Sequence, residues 1–280
     1  MADELKSLDS IKDIINRSGN NFHYQVVKFL REKGWSLLVS PYYTDNVTDK
    51  PREIDIIAEK AFDIKDPFMD CWYGTLNVKL FIECKYINSD IVFWLDDRDK
   101  NKIIEKIVAD SPLKPPSQNI TINEHRYLNA EKVAKLFASG KNNENNDVIY
   151  KALNQNLNAL VYYRNKSDFS MVPERKGWKV NILHKLNYPL IVCNNFNNFY
   201  SVDTGYLQGE PKGIINNFQL EVNYAYLHIT PPGGQFRRIE YFLMDVINFE
   251  KFDDFLNEIQ EKDIRIISDT ISEQQRHKNK

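Results

Sequence analysis

The sequence predicts an α/β domain with a central mixed sheet flanked by helices. Segments with helical and with strand periodicity alternate along the 280 residues, and they show no internal repeat and no second autonomous core. Apolar residues make up 42% and charged residues 27%, the proportions of an ordinary soluble globular protein. A chain of this length buries a substantial core. We therefore expect one domain over residues 1–280.

The first part of the chain predicts two helices and then three strands. Apolar residues at helical spacing predict an amphipathic helix over residues 3–17. Ser18 or Asn20 is a suitable N-cap for a second helix, which ends near Gly34. The three strands correspond to the segments WSLLVSPYY, REIDIIAEK and NVKLFIECKY.

Residues 96–145 differ from the segments around them. They contain the polar DDRDKNK, the Pro-rich SPLKPPS and the Asn-rich GKNNENN. Helical pieces are predicted near 100–109 and 124–138. We interpret the whole segment as a helical insertion that packs on the core.

The remainder of the chain returns to the α/β pattern. A helix is predicted over 147–163, followed by the strands YPLIVCNN and FQLEVNYAYLHI. After the turn signal PPGG, a strand at EYFLMDVIN and a helix over 250–262 complete the chain. Residues 236–280 are interpreted as a C-terminal elaboration of the core.

Composition narrows the environment and the partners. No apolar run is long enough to cross a bilayer and no secretory signal opens the chain, so we expect a cytoplasmic protein with no membrane partner. Cys71, Cys84 and Cys193 match neither a zinc site nor a disulfide framework, and the last two are predicted core residues. The net charge of −2 excludes a wholly basic nucleic-acid wrapper, but residues 161–190 carry a surplus of four positive charges.

Two opposite charges interrupt the apolar strand KLFIECKYI. Because strand side chains alternate between faces, Glu83 and Lys85 share one face, with Cys84 opposite. Asp55 lies in the neighbouring segment EIDII, so pairing of the two strands brings all three charges to one sheet edge. Two carboxylates that close repel each other, and a divalent cation relieves the repulsion. Mg²⁺ suits such a site because it prefers oxygen ligands.

These stretches resemble the PD-(D/E)XK nuclease superfamily, the restriction-endonuclease-like fold, and within it the Mrr-like branch. The resemblance rests on the helix GNNFHYQVVKFLREKGW and the strands REIDIIA and LFIECKY, which span roughly residues 19–87. It implies a nuclease that hydrolyses DNA in a restriction or defence role, with Mg²⁺ as cofactor and Mn²⁺ as a substitute. By resemblance Asp55 and Glu83 are metal ligands and Lys85 is the motif lysine.

The same resemblance implies a supporting shell. The backbone carbonyl of Cys84 matches a position that commonly joins the metal ligands, and Ile54 replaces the Pro of the motif. Mrr-like members often carry a Glu on the first helix, where this chain has His23 and Gln25. These two residues are candidates for supporting the site, with His23 also expected as a helix-packing residue, and the number of metal ions stays open.

Three alternatives remain at this point. Glu83 and Lys85 can form an ion pair that only stabilises the strand. The fold can be catalytically idle and serve as a nucleic-acid-binding or assembly module. An RNA-directed nuclease shares the same chemistry, and nothing in the sequence reads a 2′-hydroxyl. A homodimer or a partner protein is compatible with each of them.

Overall fold

The computed structural model describes residues 2–65, 72–111, 122–140, 148–164, 182–205, 209–230 and 234–278. Within these residues the helices are α1 (Ala2–Arg17), α2 (Gly19–Glu32), α3 (Lys100–Asp110), α4 (Val148–Arg164), α5 (Phe252–Glu258) and α6 (Arg265–Lys278). A π-helical segment, Ile259–Ile264, joins the last two. No helix in the described ranges is both long and apolar enough to cross a membrane.

Twelve strands are described. They are β1 (Ser36–Val39), β2 (Tyr42–Thr44), β3 (Pro51–Glu53), β4 (Ile56–Lys65), β5 (Trp72–Lys85), β6 (Ile91–Asp97), β7 (Lys132–Ser139), β8 (Ile182–Cys193), β9 (Phe199–Asp203), β10 (Lys212–Gly213), β11 (Phe218–Thr230) and β12 (Gly234–Asn248). Ten of them form one sheet in the order β1-β4-β5-β8-β12-β11-β7-β6-β9-β10, and β2 pairs separately with β3.

The sheet is mixed, as the α/β prediction requires. β4 runs antiparallel to both β1 and β5, whereas β8 runs parallel to β5 and to β12. The parallel pair β5–β8 is long and apolar, which is typical of strands covered on both faces. The predicted α/β architecture with a helix-flanked mixed sheet is therefore confirmed.

Helices cover both faces of the sheet around β4 and β5. On one face the buried side chains of α2 and of the C-terminal helices pack against Ile56, Leu80 and Ile82. On the other face α4 packs against Ile57 and Phe81. Alternation along β5 places Glu83 on the same face as Phe81, the face covered by α4.

A buried asparagine joins α4 to the two central strands. Pro189 of β8 lies opposite Phe81 of β5 and cannot donate a backbone hydrogen bond. Asn156 Nδ2 donates instead to the carbonyls of Phe81 at 2.6 Å and Leu190 at 2.9 Å. Buried carbonyls need a partner, so this side chain fixes α4 against the strand that carries the candidate site.

Two of the predicted strands each divide into two shorter strands, and the two breaks lie side by side. WSLLVSPYY divides into β1 and β2, and REIDIIAEK divides into β3 and β4, with Asp55 in the second gap. Ser40 adopts φ 52°, a left-handed conformation that non-glycine residues rarely occupy. Its N–H donates to the carbonyl of Asp55 at 2.8 Å, and the N–H of Ile54 donates to the carbonyl of Pro41 at 3.2 Å. The break redirects the chain at Asp55.

The prediction for residues 96–145 is partly wrong. The helix near 100–109 is confirmed as α3, but the helix predicted over 124–138 does not form. Residues 126–128 make a short 3₁₀ turn, and β7 follows as a strand between β6 and β11. Pairing with two neighbouring strands overrides the helical propensity of AEKVAKLF. This segment therefore supplies the strand β7 to the sheet and is not a purely helical insertion.

A buried charged cluster ties this segment to the C-terminal one. Arg126 donates to both carboxylate oxygens of Asp245 on β12, at 2.6 and 2.7 Å. Its Nε donates to Asp263 of the π-helical segment at 2.9 Å, and the hydroxyl of Tyr188 donates to the same carboxylate at 3.1 Å. All three charged side chains are buried. Residues 236–280 therefore contribute the strand β12 to the sheet, and the charged cluster ties the segment after it to the sheet.

The cysteines and the expected basic surface lie only partly within the described residues. Cys84 and Cys193 lie on β5 and β8, the first half-buried and the second buried, while Cys71 is outside the described residues. Of the six cations predicted as a basic surface, only Arg164 and Lys185 are described. Arg164 forms two hydrogen bonds to the carboxylate of Glu240, at 2.7 and 2.8 Å, so its charge is neutralised locally.

Candidate functional site

The candidate site lies at the end of β5, on the face covered by α4. Glu83 is 1% exposed, and its Oε2 accepts a hydrogen bond of 2.7 Å from the ammonium of Lys85. Asn194, directly after β8, donates its N–H to the carbonyl of Lys85 at 3.2 Å and accepts from the N–H of Ile87 at 2.8 Å. These bonds fix the end of β5 against β8.

Asp55 reaches this strand end from the break between β3 and β4. Its Oδ2 accepts the N–H of Cys84 at 2.7 Å and lies 3.7 Å from Nζ of Lys85. The backbone carbonyl of Asp55 is held by the N–H of Ser40 and by Nε2 of His23, at 2.8 and 3.0 Å. The three side chains that the sequence places at one sheet edge therefore lie together in space.

The protonation of the cluster reflects its burial. Burial raises the pKa of Glu83 to about 8, against the opposing effect of the Lys85 ammonium. For Lys85, burial alone would lower the pKa, but the carboxylates of Glu83 and Asp55 outweigh it and raise it. Burial also raises the pKa of the Cys84 thiol well above its usual range, so this thiol is not a nucleophile at neutral pH.

One oxygen of the cluster has no partner. Oε1 of Glu83 is buried and accepts no hydrogen bond from any described residue. Such an atom is costly to bury unless something else contacts it. Asp55 differs from Glu83 because its side chain is 26% exposed. The cluster is therefore open to solvent on the side of Asp55. The cluster therefore combines a deep unsatisfied carboxylate oxygen with an accessible one.

A second buried ion pair in the same two strands provides a comparison. Glu59 of β4 and Lys79 of β5 are both buried, with 3.8 Å between Oε1 and Nζ. Asn77 donates to the same oxygen of Glu59 at 3.0 Å, and neither carboxylate oxygen of Glu59 is left unsatisfied among the described residues. In that pair a neighbouring amide completes the contacts of the carboxylate. Glu221, paired with Lys102, also has one buried oxygen without a hydrogen bond, so what sets Glu83 apart is the second carboxylate, Asp55, that shares its lysine.

The oxygen donors at the site are of the type that a hard divalent cation such as Mg²⁺ prefers. Asp55 and Glu83 supply two carboxylates. The described residues contain no group of three or more His, Cys, Asp and Glu side chains placed to hold a metal ion. Mg²⁺ is commonly held by one or two carboxylates and completes its shell with water and substrate phosphate. The unsatisfied oxygen of Glu83 is available as one such carboxylate ligand.

Two further sequence candidates have different positions. His23 contacts the backbone of Asp55 and not its carboxylate, so its place is that of a positioning residue. Gln25 is exposed on α2 and makes no hydrogen bond to Asp55, Glu83 or Lys85 in the described structure. Sequence reasoning missed Ser40 and Asn194, which hold the two strand ends. Of these two residues only Ser40 has a signal in the sequence, namely the Ser-Pro step after β1.

No protein-family model, no curated protein and no solved structure matches the chain.

Proposed function

We propose that this protein is a divalent-metal-dependent nuclease that hydrolyses phosphodiester bonds, with DNA as the first expected substrate. The observation that supports this most strongly is the buried, unsatisfied Oε1 of Glu83 beside Asp55 and Lys85. Two carboxylates that converge on one ammonium form an arrangement suited to a cation and a phosphate. In the neighbouring buried pair of Glu59 and Lys79, by contrast, no second carboxylate is present and neither oxygen of Glu59 is left without a hydrogen bond.

The topology around the site supports a restriction-endonuclease-like core. β4 and β5 form a hairpin, β8 runs parallel to β5 beside it, and α2 and α4 cover opposite faces. The acidic residue before β4 and the E-C-K segment at the end of β5 then occupy adjacent strand ends. We assign the remaining strands, from β12 to β10, as additions to that core.

In the proposed reaction each residue of the cluster has one task. Asp55 and Glu83 would hold Mg²⁺ together with the carbonyl of Cys84, and the ion supplies stabilisation of phosphate charge and a lower pKa for a bound water. Lys85, held between the two carboxylates, orients the attacking water and stabilises the negative charge that develops on the phosphate. The N–H of Cys84 keeps the carboxylate of Asp55 in place.

A cleavage assay tests the proposal. Purified protein with Mg²⁺ or Mn²⁺ should cut DNA, and Asp55→Ala or Lys85→Ala should reduce cutting at least a hundredfold while the circular dichroism spectrum is unchanged. Glu59→Gln, which alters the buried pair in the same strands, is the matched control and should keep its activity whenever it folds. Wild-type cleavage rates in either alanine variant would refute the assignment.

An idle nuclease-like fold is the second candidate, and one observation favours it. The direct 2.7 Å bond from Lys85 to Glu83 partly neutralises the carboxylate without any metal. The idle fold predicts no Mn²⁺ binding that depends on Glu83, whereas the nuclease predicts it. An RNA-directed enzyme differs only in substrate, and a parallel panel of single- and double-stranded DNA and RNA separates the two.

A further inference from the structure

A cavity of about 260 Å³ opens between α4 and the β2–β3 pair. Its lining combines aromatic, cationic and amide groups, namely Tyr43, Arg52, Tyr150, Lys151, Gln155 and Asn158. None of these residues belongs to the Asp55–Glu83–Lys85 cluster. The volume suits one small planar ligand rather than a macromolecular surface.

The cavity adjoins the cluster through shared structure. Tyr43, fully buried in its wall, donates its hydroxyl to the carbonyl of Gln155 at 3.0 Å. Gln155 Nε2 donates in turn to the carbonyl of Glu53 at 3.4 Å, two residues before Asp55. The Glu83 carboxylate also contributes to the raised pKa of Tyr43, after the larger effect of burial. The wall of the cavity is therefore hydrogen-bonded to the segment that leads into Asp55.

The chemistry of the lining favours an aromatic, negatively charged ligand. The side chain of Tyr150 is 45% exposed at the cavity and offers a ring for stacking. Arg52 and Lys151 are cations, while the one acidic residue in the wall, Asp45, is occupied by Arg52 at 3.6 Å and by the N–H groups of its own turn. The positive charge thus exceeds the negative charge in the wall.

One amide in the wall has an unused acceptor. Asn158 is 7% exposed, and its Nδ2 donates to Asp45 at 3.4 Å. Its Oδ1 is buried and has no hydrogen-bond partner among the described residues. Because the oxygen is buried, a ligand that donates an N–H group, as an exocyclic amine of a base does, would satisfy it once the Asn158 side chain turns towards the cavity.

We propose that this cavity receives the base of one unstacked nucleotide, adjacent to the phosphate held at Asp55, Glu83 and Lys85. The proposal rests on the nuclease function proposed above and specifies its substrate. A base can enter only after it leaves the duplex stack, so the preferred substrate presents an unpaired nucleotide near the cut site, either in a single strand or flipped from a duplex.

Binding without metal tests the cavity independently of cleavage. A fluorescently labelled single-stranded DNA is titrated in EDTA and followed by anisotropy. Tyr150→Ala should weaken binding about tenfold, because a stacked base contributes on this scale, and Tyr150→Phe should restore it. Tyr200→Ala, on the distant strand β9, is the matched control and should bind as wild type. Equal affinity of Tyr150→Ala and wild type would overturn the proposal.

An abasic series locates the base. Oligonucleotides that each lack one base are compared with the intact strand. Wild type should bind the strand that lacks the base at one particular position about tenfold more weakly than the intact strand. Tyr150→Ala should bind that abasic strand and the intact strand equally. A uniform profile in wild type, or the same position-specific loss in Tyr150→Ala, would contradict a base-binding cavity.

The two proposals fail differently. A protein that shows the position-specific loss in EDTA but never cuts DNA with Mg²⁺ or Mn²⁺ retains the cavity and loses the nuclease assignment. A protein that cuts DNA, with cleavage dependent on Lys85, but binds every abasic strand equally retains the nuclease assignment and loses the cavity.

Discussion

At the scale of single residues, Glu83 determines the character of the site. It is the most deeply buried of the three charged side chains, and its Oε1 is a buried oxygen without a hydrogen bond from any described residue. Burial raises its pKa to about 8, so in the absence of a cation the carboxyl holds a proton near neutral pH. A divalent ion would displace that proton, which links metal binding to pH.

The raised pKa of Glu83 predicts a pH dependence of stability. Its pKa in the folded protein, about 8, lies above the ordinary value of 4.5. The folded state therefore keeps a proton that the unfolded state has lost, and this contribution is complete below pH 4.5 and disappears as the pH rises towards 8. In EDTA the free energy of unfolding should fall by at most about 1.4 kcal/mol per pH unit from this group.

Urea unfolding of wild type and Glu83→Gln between pH 5 and 8 measures this effect. Two other acids, the buried Asp263 and the more exposed Asp110, also have raised pKa values and contribute equally to both proteins. The difference between the two curves isolates Glu83 and should decrease steadily with pH. Parallel curves would contradict the assignment of the proton to Glu83.

The sequence was most informative at this scale. Alternation along a strand predicts that Glu83 and Lys85 share one face, and pairing of two apolar segments predicts that Asp55 lies beside them. In the structure the ammonium of Lys85 contacts Glu83 and lies near Asp55, as predicted. Ser40 and Asn194 were missed, because backbone hydrogen bonds between strand ends distant in sequence leave no periodic pattern. The 26% exposure of Asp55 and the open oxygen of Glu83 also depend on packing that no single strand encodes.

At the scale of elements, the break between β1 and β2 positions Asp55. The left-handed Ser40 turns the chain, and its N–H holds the Asp55 carbonyl. A strained backbone conformation of this kind costs on the order of 1–2 kcal/mol in a non-glycine residue. It is retained here at the strand break next to the candidate site, where the carboxylate of Asp55 reaches the N–H of Cys84.

Substitutions at Ser40 test this role. Ser40→Gly should stabilise the protein by up to about 1 kcal/mol, and Ser40→Val should destabilise it by about 1–2 kcal/mol, both measured by urea unfolding. Asp49, with φ 54° in the turn after β2, is the matched control. Asp49→Val should lose similar stability and keep its Mn²⁺ affinity, whereas Ser40→Val should weaken Mn²⁺ binding. Equal Mn²⁺ affinity in the two valine variants would show that the break has no role at the site.

β7 shows where element prediction failed. Lys132–Ser139 contains Val133, Ala134 and Phe137, whose spacing suits a helix as well as a strand. The choice is made by pairing with β6 along its whole length, and β6 lies some 40 residues earlier in the chain. Long-range pairing is not visible in local propensity, so the insertion was assigned as helical.

At the scale of the whole molecule, the segments described as insertion and elaboration are joined to the core by a buried network. Arg126, Asp245 and Asp263 come from three different parts of the chain and are almost completely buried. Removing one member of such a network leaves uncompensated buried charge. The sheet, the 96–145 segment and the C-terminal helices should therefore unfold together.

Arg126→Met tests this coupling. It should lower the free energy of unfolding by about 3–5 kcal/mol, because two buried carboxylates lose their partner, and the protein should still unfold in one transition. Arg265→Met, which removes an exposed pair with Glu124, is the control and should cost at most about 1 kcal/mol. Separate transitions by fluorescence and circular dichroism, or equal losses in the two variants, would contradict a single cooperative unit.

Mn²⁺ binding tests the central claim most directly, because it does not depend on the identity of the substrate. Isothermal titration at pH 8 should show saturable binding in the wild type that is lost in both Asp55→Asn and Glu83→Gln, while Glu59→Gln binds normally. A wild-type protein that binds no Mn²⁺, or a Glu83→Gln variant that binds it as tightly as wild type, would contradict a metal-dependent hydrolytic site at Asp55, Glu83 and Lys85.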